Sequence, residues 1–201
     1  MSSFLDILSK YENFDNRIGT DKNTVHSYGP LYTDIFAGIA PTQILEIGIY
    51  SGAFLRVLSN YFQDAKVIIG LDITLENVVF TNIPRVKTLQ RDGTCKSTAD
   101  EMIASYGLFD LIIEDGSHLI EHQLLTLRHF ASCLSTTGVF VMEDIDIGKY
   151  PDIQSRLQCV ADSVNLAMEW HDMRATNNRF DDVVAVFRHK SVQVGACTML
   201  L

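Results

Sequence analysis

Short, near-continuous apolar runs recur along the chain, separated by longer stretches in which apolar residues return every three or four positions. The runs cover 44–49, 67–73, 86–89, 109–113, 139–142 and 183–187, with a weaker one over 168–173. Apolar residues at consecutive positions face both sides of a strand, so these runs predict strands covered on both faces. Between them, Phe54, Leu55, Leu58, Tyr61 and Phe62 share a helical face, as do Ile120, Leu124, Leu127, Ala131 and Leu134, and then Ile153, Leu157, Val160 and Val164. Two helices precede the sheet. One starts after Ser3 as its cap; the other starts at Pro30 and buries Leu31, Ile35 and Phe36. The expectation is an α/β architecture of six or seven mostly parallel strands with helices on both faces. The 201 residues predict one domain, with an N-terminal helical segment over 1–40 and a sheet core over 41–201.

Composition narrows the partners. Sixteen Lys and Arg against 25 Asp and Glu give a net charge of −9, and no basic run interrupts the balance. Nucleic acid and anionic membranes need a positive surface, so both are disfavoured. No 18-residue apolar stretch predicts a membrane span, and the opening MSSFLDILSKYENF does not read as a secretory signal. Cys95, Cys133, Cys159 and Cys197 are widely spaced, which predicts free thiols and a cytoplasmic location. The uncharged ending over 191–201 is expected to pack on the body or on a second subunit, leaving a homo-oligomer possible.

The acids carry the functional signal. Asp72, Asp92, Asp115 and the pair Glu143-Asp144 each follow an apolar run. In a parallel sheet those ends share one edge, where open α/β folds bind ligands. Any one of them reads better as an ordinary loop residue; four successive strand ends predict an acidic rim with something positive at its centre.

The first run ends in Glu46-Ile-Gly48-Ile-Tyr50-Ser51-Gly52, a strand-to-helix turn whose glycines allow close approach of a ligand. Asp72 follows Gly52 by 20 residues, a spacing that suits an acid on ribose hydroxyls. The GxxxG spacing, rather than GxGxxG, favours a ribose-bearing cofactor without phosphates. In Glu114-Asp115-Gly116-Ser117-His118, Ser117 is expected to cap a helix and put His118 in its first turn, as a general base. Glu143 and Asp144, facing Asp115, form an all-oxygen set that suits Mg²⁺, Mn²⁺ or Ca²⁺. Gly19 to Tyr28 is expected either to cover the cofactor as a lid or to be an ordinary loop.

These residues together resemble the class I S-adenosylmethionine-dependent methyltransferases, and within them the metal-dependent sugar O-methyltransferases that tailor macrolides. The resemblance rests on Gly19-Thr20-Asp21-Lys22 with His26 and Tyr28, Ile44 to Gly48, Gly70 to Ile73, Asp115 to His118 and Glu143 to Ile145. It covers about residues 17–147 and implies a Rossmann-like fold with S-adenosylmethionine and Mg²⁺ or Mn²⁺ as cofactors. By the same resemblance Glu46, Gly48, Tyr50, Ser51, Gly52, Asp72, Asp92 and Asp115 would bind the cofactor. Asp115, Glu143 and Asp144 would bind the metal, and His118 with Asp115 would be catalytic. The implied acceptor is a hydroxyl, as in a vicinal diol, of a sugar or glycosylated small molecule. The chain departs from the family at Glu114, where Asp is frequent, and at Ser51-Gly52-Ala53, where Gly-Gly-Ser is. Two rival readings are a non-catalytic cofactor-binding module on the same fold and a zinc peptidase from His118-Leu-Ile-Glu121-His122.

Overall fold

A computed structural model describes residues 2–12, 19–80 and 82–190. Seven strands form one sheet: β1 (Gln43–Ile47), β2 (Val67–Asp72), β3 (Val86–Gln90), β4 (Phe109–Glu114), β5 (Leu134–Met142), β6 (Leu166–Asp172) and β7 (Val183–His189). Their order across the sheet is β3-β2-β1-β4-β5-β7-β6. The pairs from β3 to β5 are parallel, while β7 runs antiparallel between β5 and β6. The order reverses between β1 and β4, the switch point at which such sheets open a crevice.

Each apolar run is a strand. β5 is longer than its run because Ser135 to Thr137 are polar and at least partly exposed, which breaks the apolar sequence between the buried Leu134 and the buried Val139 to Met142. The helices α1 (Phe4–Leu8), α2 (Gly29–Ala37) and α3 (Ala53–Tyr61) cover one face of the sheet. The helices α4 (Lys96–Tyr106), α5 (Ile120–Phe130) and α6 (Ile153–Ser163) cover the other. A last turn, α7 (Arg174–Asn177), precedes β7. Ser3 caps α1 in a reciprocal box, its Oγ accepting from Asp6 N while Ser3 N donates to Asp6 Oδ2. α4 left no apolar stripe in the sequence because only Thr98, Ala99 and Met102 of its residues are buried.

The N-terminal segment joins the body through an aromatic cluster. Phe4 packs edge-on against Phe36 with ring centroids 4.9 Å apart, and Tyr32 lies 5.3 Å from Phe54. This packing anchors α2, whose first turn reaches the acidic rim. No helix among the described residues is long and apolar enough to cross a membrane. Cys95, Cys133 and Cys159 are free thiols; Cys197 and the uncharged ending lie outside the described residues.

Candidate active site

The rim expected from the sequence lines a cleft of ≈520 Å³ at the switch point. Glu46, Asp72, Asp92, Asp115, His118 and Asp144 all border it, as do Gly48, Tyr50 and Ser51. Gly52 lies beside it, as the residue before α3. Three bordering residues that are not glycine take left-handed backbone angles: Tyr50 (φ 43°), His118 (φ 55°) and Asp144 (φ 54°). Such angles cost about 1–3 kcal/mol each and persist where the surrounding structure fixes them, which is common at sites that hold ligands.

At the β1–α3 turn, Asp72 Oδ2 accepts the N–H groups of Ile49 and Tyr50, each at 3.0 Å, and its Oδ1 accepts from Thr74 N at 3.1 Å. A carboxylate offers about four lone-pair sites, so room remains for a ligand hydroxyl. Gly48 is required by the fold rather than by a ligand: a Cβ there would lie 2.0 Å from the Asp115 carbonyl oxygen. At Gly52 a Cβ would make only ordinary contacts, 3.5 Å or more away, and it is the left-handed backbone (φ 80°) that favours glycine. Asp92 is exposed and bonded locally, its Oδ1 accepting from Thr94 Oγ1 and N, and these bonds hold its pKa below the usual value. Glu46 is 2% exposed, and its Oε2 has no hydrogen-bond partner among the described residues. Burial pushes its pKa up to about 8, against the pull of Lys22.

The other end of the cleft is built differently. Lys22 is 2% exposed, and its Nζ donates to Asp115 Oδ2 at 2.7 Å and Glu143 Oε2 at 2.6 Å. Burial works against its charge, but Asp115, Glu143 and Glu46 outweigh burial and hold its pKa well above the ordinary lysine value. Tyr32 donates to the second oxygen of Glu143, Oε1. Tyr28 donates to Asp144 Oδ1 at 2.5 Å and to the Asp181 carbonyl at 3.2 Å. His26 stacks on Tyr28, its Nδ1 2.7 Å from Asp182 Oδ1 and 3.4 Å from Asp144 Oδ1. Residues 19–22 thus border the cleft, and the segment they belong to is bonded in place by Lys22, His26, Ser27 and Tyr28.

Asp115, His118 and Asp144 each bring a potential ligand atom within 4.8 Å of the others. Asp144 Oδ2 faces His118 Nε2 at 3.7 Å, and burial raises the Asp144 pKa to about 6. Glu143, expected in this set, accepts one hydrogen bond on each oxygen, from Lys22 and Tyr32, and is not among these three. Ser117 does not cap α5 as expected. The helix starts at Ile120, and Ser117 Oγ lies 2.7 Å from His122 Nδ1 instead. His118 therefore sits in the loop before the helix, out of its dipole's first turn. Its Nδ1 is buried without a partner among the described residues, which leaves Nε2 as the nitrogen facing Asp144. This also removes the helix that the zinc-peptidase spacing needs, since His118 and His122 do not share one.

Sequence reasoning missed Tyr32, Asp182 and any role for Lys22 and His26. One signal was present. Asp181-Asp182 precedes the last apolar run, and β7 is antiparallel, so its first residues reach the same rim as the last residues of the parallel strands.

No family model matches the chain. It is 28% identical over 147 residues to 8-demethyl-8-alpha-L-rhamnosyl tetracenomycin-C 2'-O-methyltransferase of Streptomyces olivaceus, a match over 69% of this chain and 38% of that protein. It is 31% identical over 116 residues to demethylmacrocin O-methyltransferase of Streptomyces fradiae, over 54% of this chain and 29% of that protein. It is 29% identical over 136 residues to mycinamicin VI 2''-O-methyltransferase of Micromonospora griseorubida, over 63% and 33%. The chain thus spans less than two-fifths of the length of these relatives. Among solved structures, the methyltransferase MycE of the mycinamycin biosynthetic pathway, in complex with Mg, SAH and mycinamycin VI, matches with a TM-score of 0.74 at 22% identity. That match covers 99% of this chain and 57% of the other. A Podospora anserina methyltransferase bound to SAH matches with a TM-score of 0.57 at 17% identity, over 92% and 88%. The chain has the class I methyltransferase fold and, over its matched residues, resembles the O-methyltransferases of glycosylated natural products.

Proposed function

We propose that the protein transfers a methyl group from S-adenosylmethionine to a hydroxyl of a sugar or glycosylated small molecule, with a divalent ion at the acidic rim. The observation that carries this reading is the convergence of Asp115, His118 and Asp144 at one end of a cleft bordered by Glu46, Asp72 and Asp92. The sugar O-methyltransferases it resembles, and the Mg and SAH named with the matching structure, support the same reading.

The residues fit both groups. The unpartnered Glu46 oxygen and the remaining capacity of Asp72 offer acceptors to a donor's amino and ribose groups. Gly48, Tyr50, Ser51 and Gly52 would shape that half, with Asp92 at its far end. Two carboxylates, Asp115 and Asp144, supply the hard oxygen donors that Mg²⁺ or Mn²⁺ takes. Bound there, the sulfonium cofactor supplies an electrophilic methyl and the ion makes a coordinated hydroxyl more acidic. His118 Nε2 would accept the hydroxyl proton as oxygen gains the methyl. Asp144, facing that nitrogen, would steady the charge that His118 acquires. Lys22, Tyr28 and Tyr32 hold the carboxylates in place, so that the acceptor meets a fixed geometry, an effect worth up to about 7–11 kcal/mol of barrier where alignment is good.

Calorimetry with S-adenosylmethionine, with and without Mg²⁺, tests the reading. Binding of the donor and of the ion supports it; absence of donor binding in both conditions overturns it.

A further inference from the structure

The bonds made by residues 22–32 divide the carboxylate oxygens at the rim unequally. Asp144 gives Oδ1 to Tyr28 and turns Oδ2 toward His118. Asp115 gives Oδ2 to Lys22, while its Oδ1 makes no hydrogen bond among the described residues. Glu143, one residue from Asp144, spends both oxygens on Lys22 and Tyr32. Each donor is buried: Lys22 at 2%, Tyr28 at 0% and Tyr32 at 1% exposure. Water does not readily replace such bonds, and leaving a buried acceptor unmet is costly.

We propose that the Tyr28 hydroxyl and the Lys22 ammonium set the metal selectivity of this site by reserving one oxygen each of Asp144 and Asp115, so that both carboxylates bind an ion through a single oxygen. The inference rests on the proposed metal-dependent reading and goes beyond it. Mg²⁺ and Mn²⁺ take six ligands in near-octahedral order and suit single-oxygen carboxylates, with positions left for water or a diol. Ca²⁺ takes six to eight oxygens and readily accepts both oxygens of one carboxylate. A hydrogen bond from a buried donor competes with Ca²⁺ for that second oxygen and turns it away from the ion. The side chains act at one remove from the ion, as positioning residues.

Binding of Mn²⁺ alone, followed by electron paramagnetic resonance and displaced by Mg²⁺ or Ca²⁺, reads the selectivity without any turnover. The wild-type protein is expected to favour Mg²⁺ over Ca²⁺. Tyr28→Phe keeps the ring stacked on His26 and removes the cap. Its affinity for Mg²⁺ is expected to fall roughly 10-fold while that for Ca²⁺ holds or rises. Tyr32→Phe removes an equally buried hydroxyl from Glu143 and is expected to leave the Ca²⁺ to Mg²⁺ ratio within about twofold of wild type, since loosening alone moves both ions together. A wild-type site that binds Ca²⁺ as tightly as Mg²⁺ overturns the inference whatever the variants do. So does a Tyr28→Phe protein whose two affinities change by the same factor. Wild-type protein that binds no Mn²⁺ removes the metal reading itself, whereas Mn²⁺ binding with an unmoved ratio removes only the role given to Tyr28 and Lys22.

Discussion

The two halves of the cleft are held by different kinds of bonds. At the β1–β3 side, Asp72 is tied to backbone N–H groups 22 and 23 residues away, and Asp92 to Thr94 two residues on. At the β4–β5 side the bonds join residues 93, 121, 116 and 111 positions apart, from Lys22, Tyr28 and Tyr32 to Asp115, Glu143 and Asp144. The first half is semi-exposed and assembles as its strands and turns form. The second is buried and exists only when the N-terminal segment is in place. A site for a donor that makes many weak contacts can be local. A site that fixes like charges side by side needs counter-charges brought from far along the chain.

The largest effect on turnover is expected where chemistry meets the second half. His118→Ala should lower kcat by roughly 10²–10⁴-fold, the usual worth of a general base, and leave the dissociation constant for S-adenosylmethionine near its wild-type value. Single-turnover methyl transfer together with calorimetry separates the two; full turnover by the variant would remove His118 from its role.

Stability divides the halves next. Lys22→Met strands the buried Glu143, and beside it the part-buried Asp115, without their shared cation, and breaking a buried pair in this way costs about 3–5 kcal/mol. The exposed, locally bonded Asp92 is a fair contrast, because a surface substitution such as Asp92→Asn should stay within about 1 kcal/mol. Urea unfolding of both variants measures the difference. Equal losses would mean that the long-range bonds carry no more than the local ones.

Acidity gives a third contrast, since Glu46 lies buried between the halves. Burial raises its pKa from 4.5 to about 8. A folded state that raises the pKa of an acid binds more protons than the unfolded chain across that interval, so stability falls as pH climbs from about 4.5 to about 8. Glu114, also raised to about 8 by burial, adds a second contribution of the same sign. Glu46→Gln should therefore flatten, without abolishing, the decline in melting temperature of the ligand-free protein between pH 5 and pH 8. An unchanged slope would place the Glu46 proton elsewhere.

The same division decides what could be read from sequence. The central strands showed themselves because burial on both faces writes a continuous apolar run, while the edge strands β3 and β6, largely unburied, gave only a short and a weaker one; α4 did not, because only Thr98, Ala99 and Met102 of its residues are fully buried. The rim acids were legible because a parallel strand delivers its next residue to a known edge. Asp182 reaches that edge from the start of an antiparallel strand, and nothing in a run of apolar residues announces its direction. Lys22, His26 and Tyr28 stood in a recognisable segment, yet their partners lie far along the chain and only the folded topology pairs them. His118 borders the cleft, but its setting differs by two residues from the one the sequence suggested: Leu119, not Ser117, is the residue before α5.

The smallest effect belongs to the local half and tests whether the cleft works as two separable parts. Asp72→Asn keeps one carbonyl oxygen that can accept from Ile49 and Tyr50, so the β1–α3 turn should survive. It removes the charge that a ligand hydroxyl would meet, and a hydrogen bond to a charged group is worth about 1.5–3 kcal/mol against about 1 for a neutral one. S-adenosylmethionine binding is therefore expected to weaken about 5- to 30-fold, a loss of about 1–2 kcal/mol. Mn²⁺ binding to the same protein should not move, because Asp72 makes no contact with Lys22, Tyr28 or the carboxylates they hold. If Asp72→Asn weakens Mn²⁺ and donor binding alike, the strand-end turns are coupled across β1 and β4, where a Cβ at Gly48 would meet the Asp115 carbonyl, and the two halves form one cooperative unit.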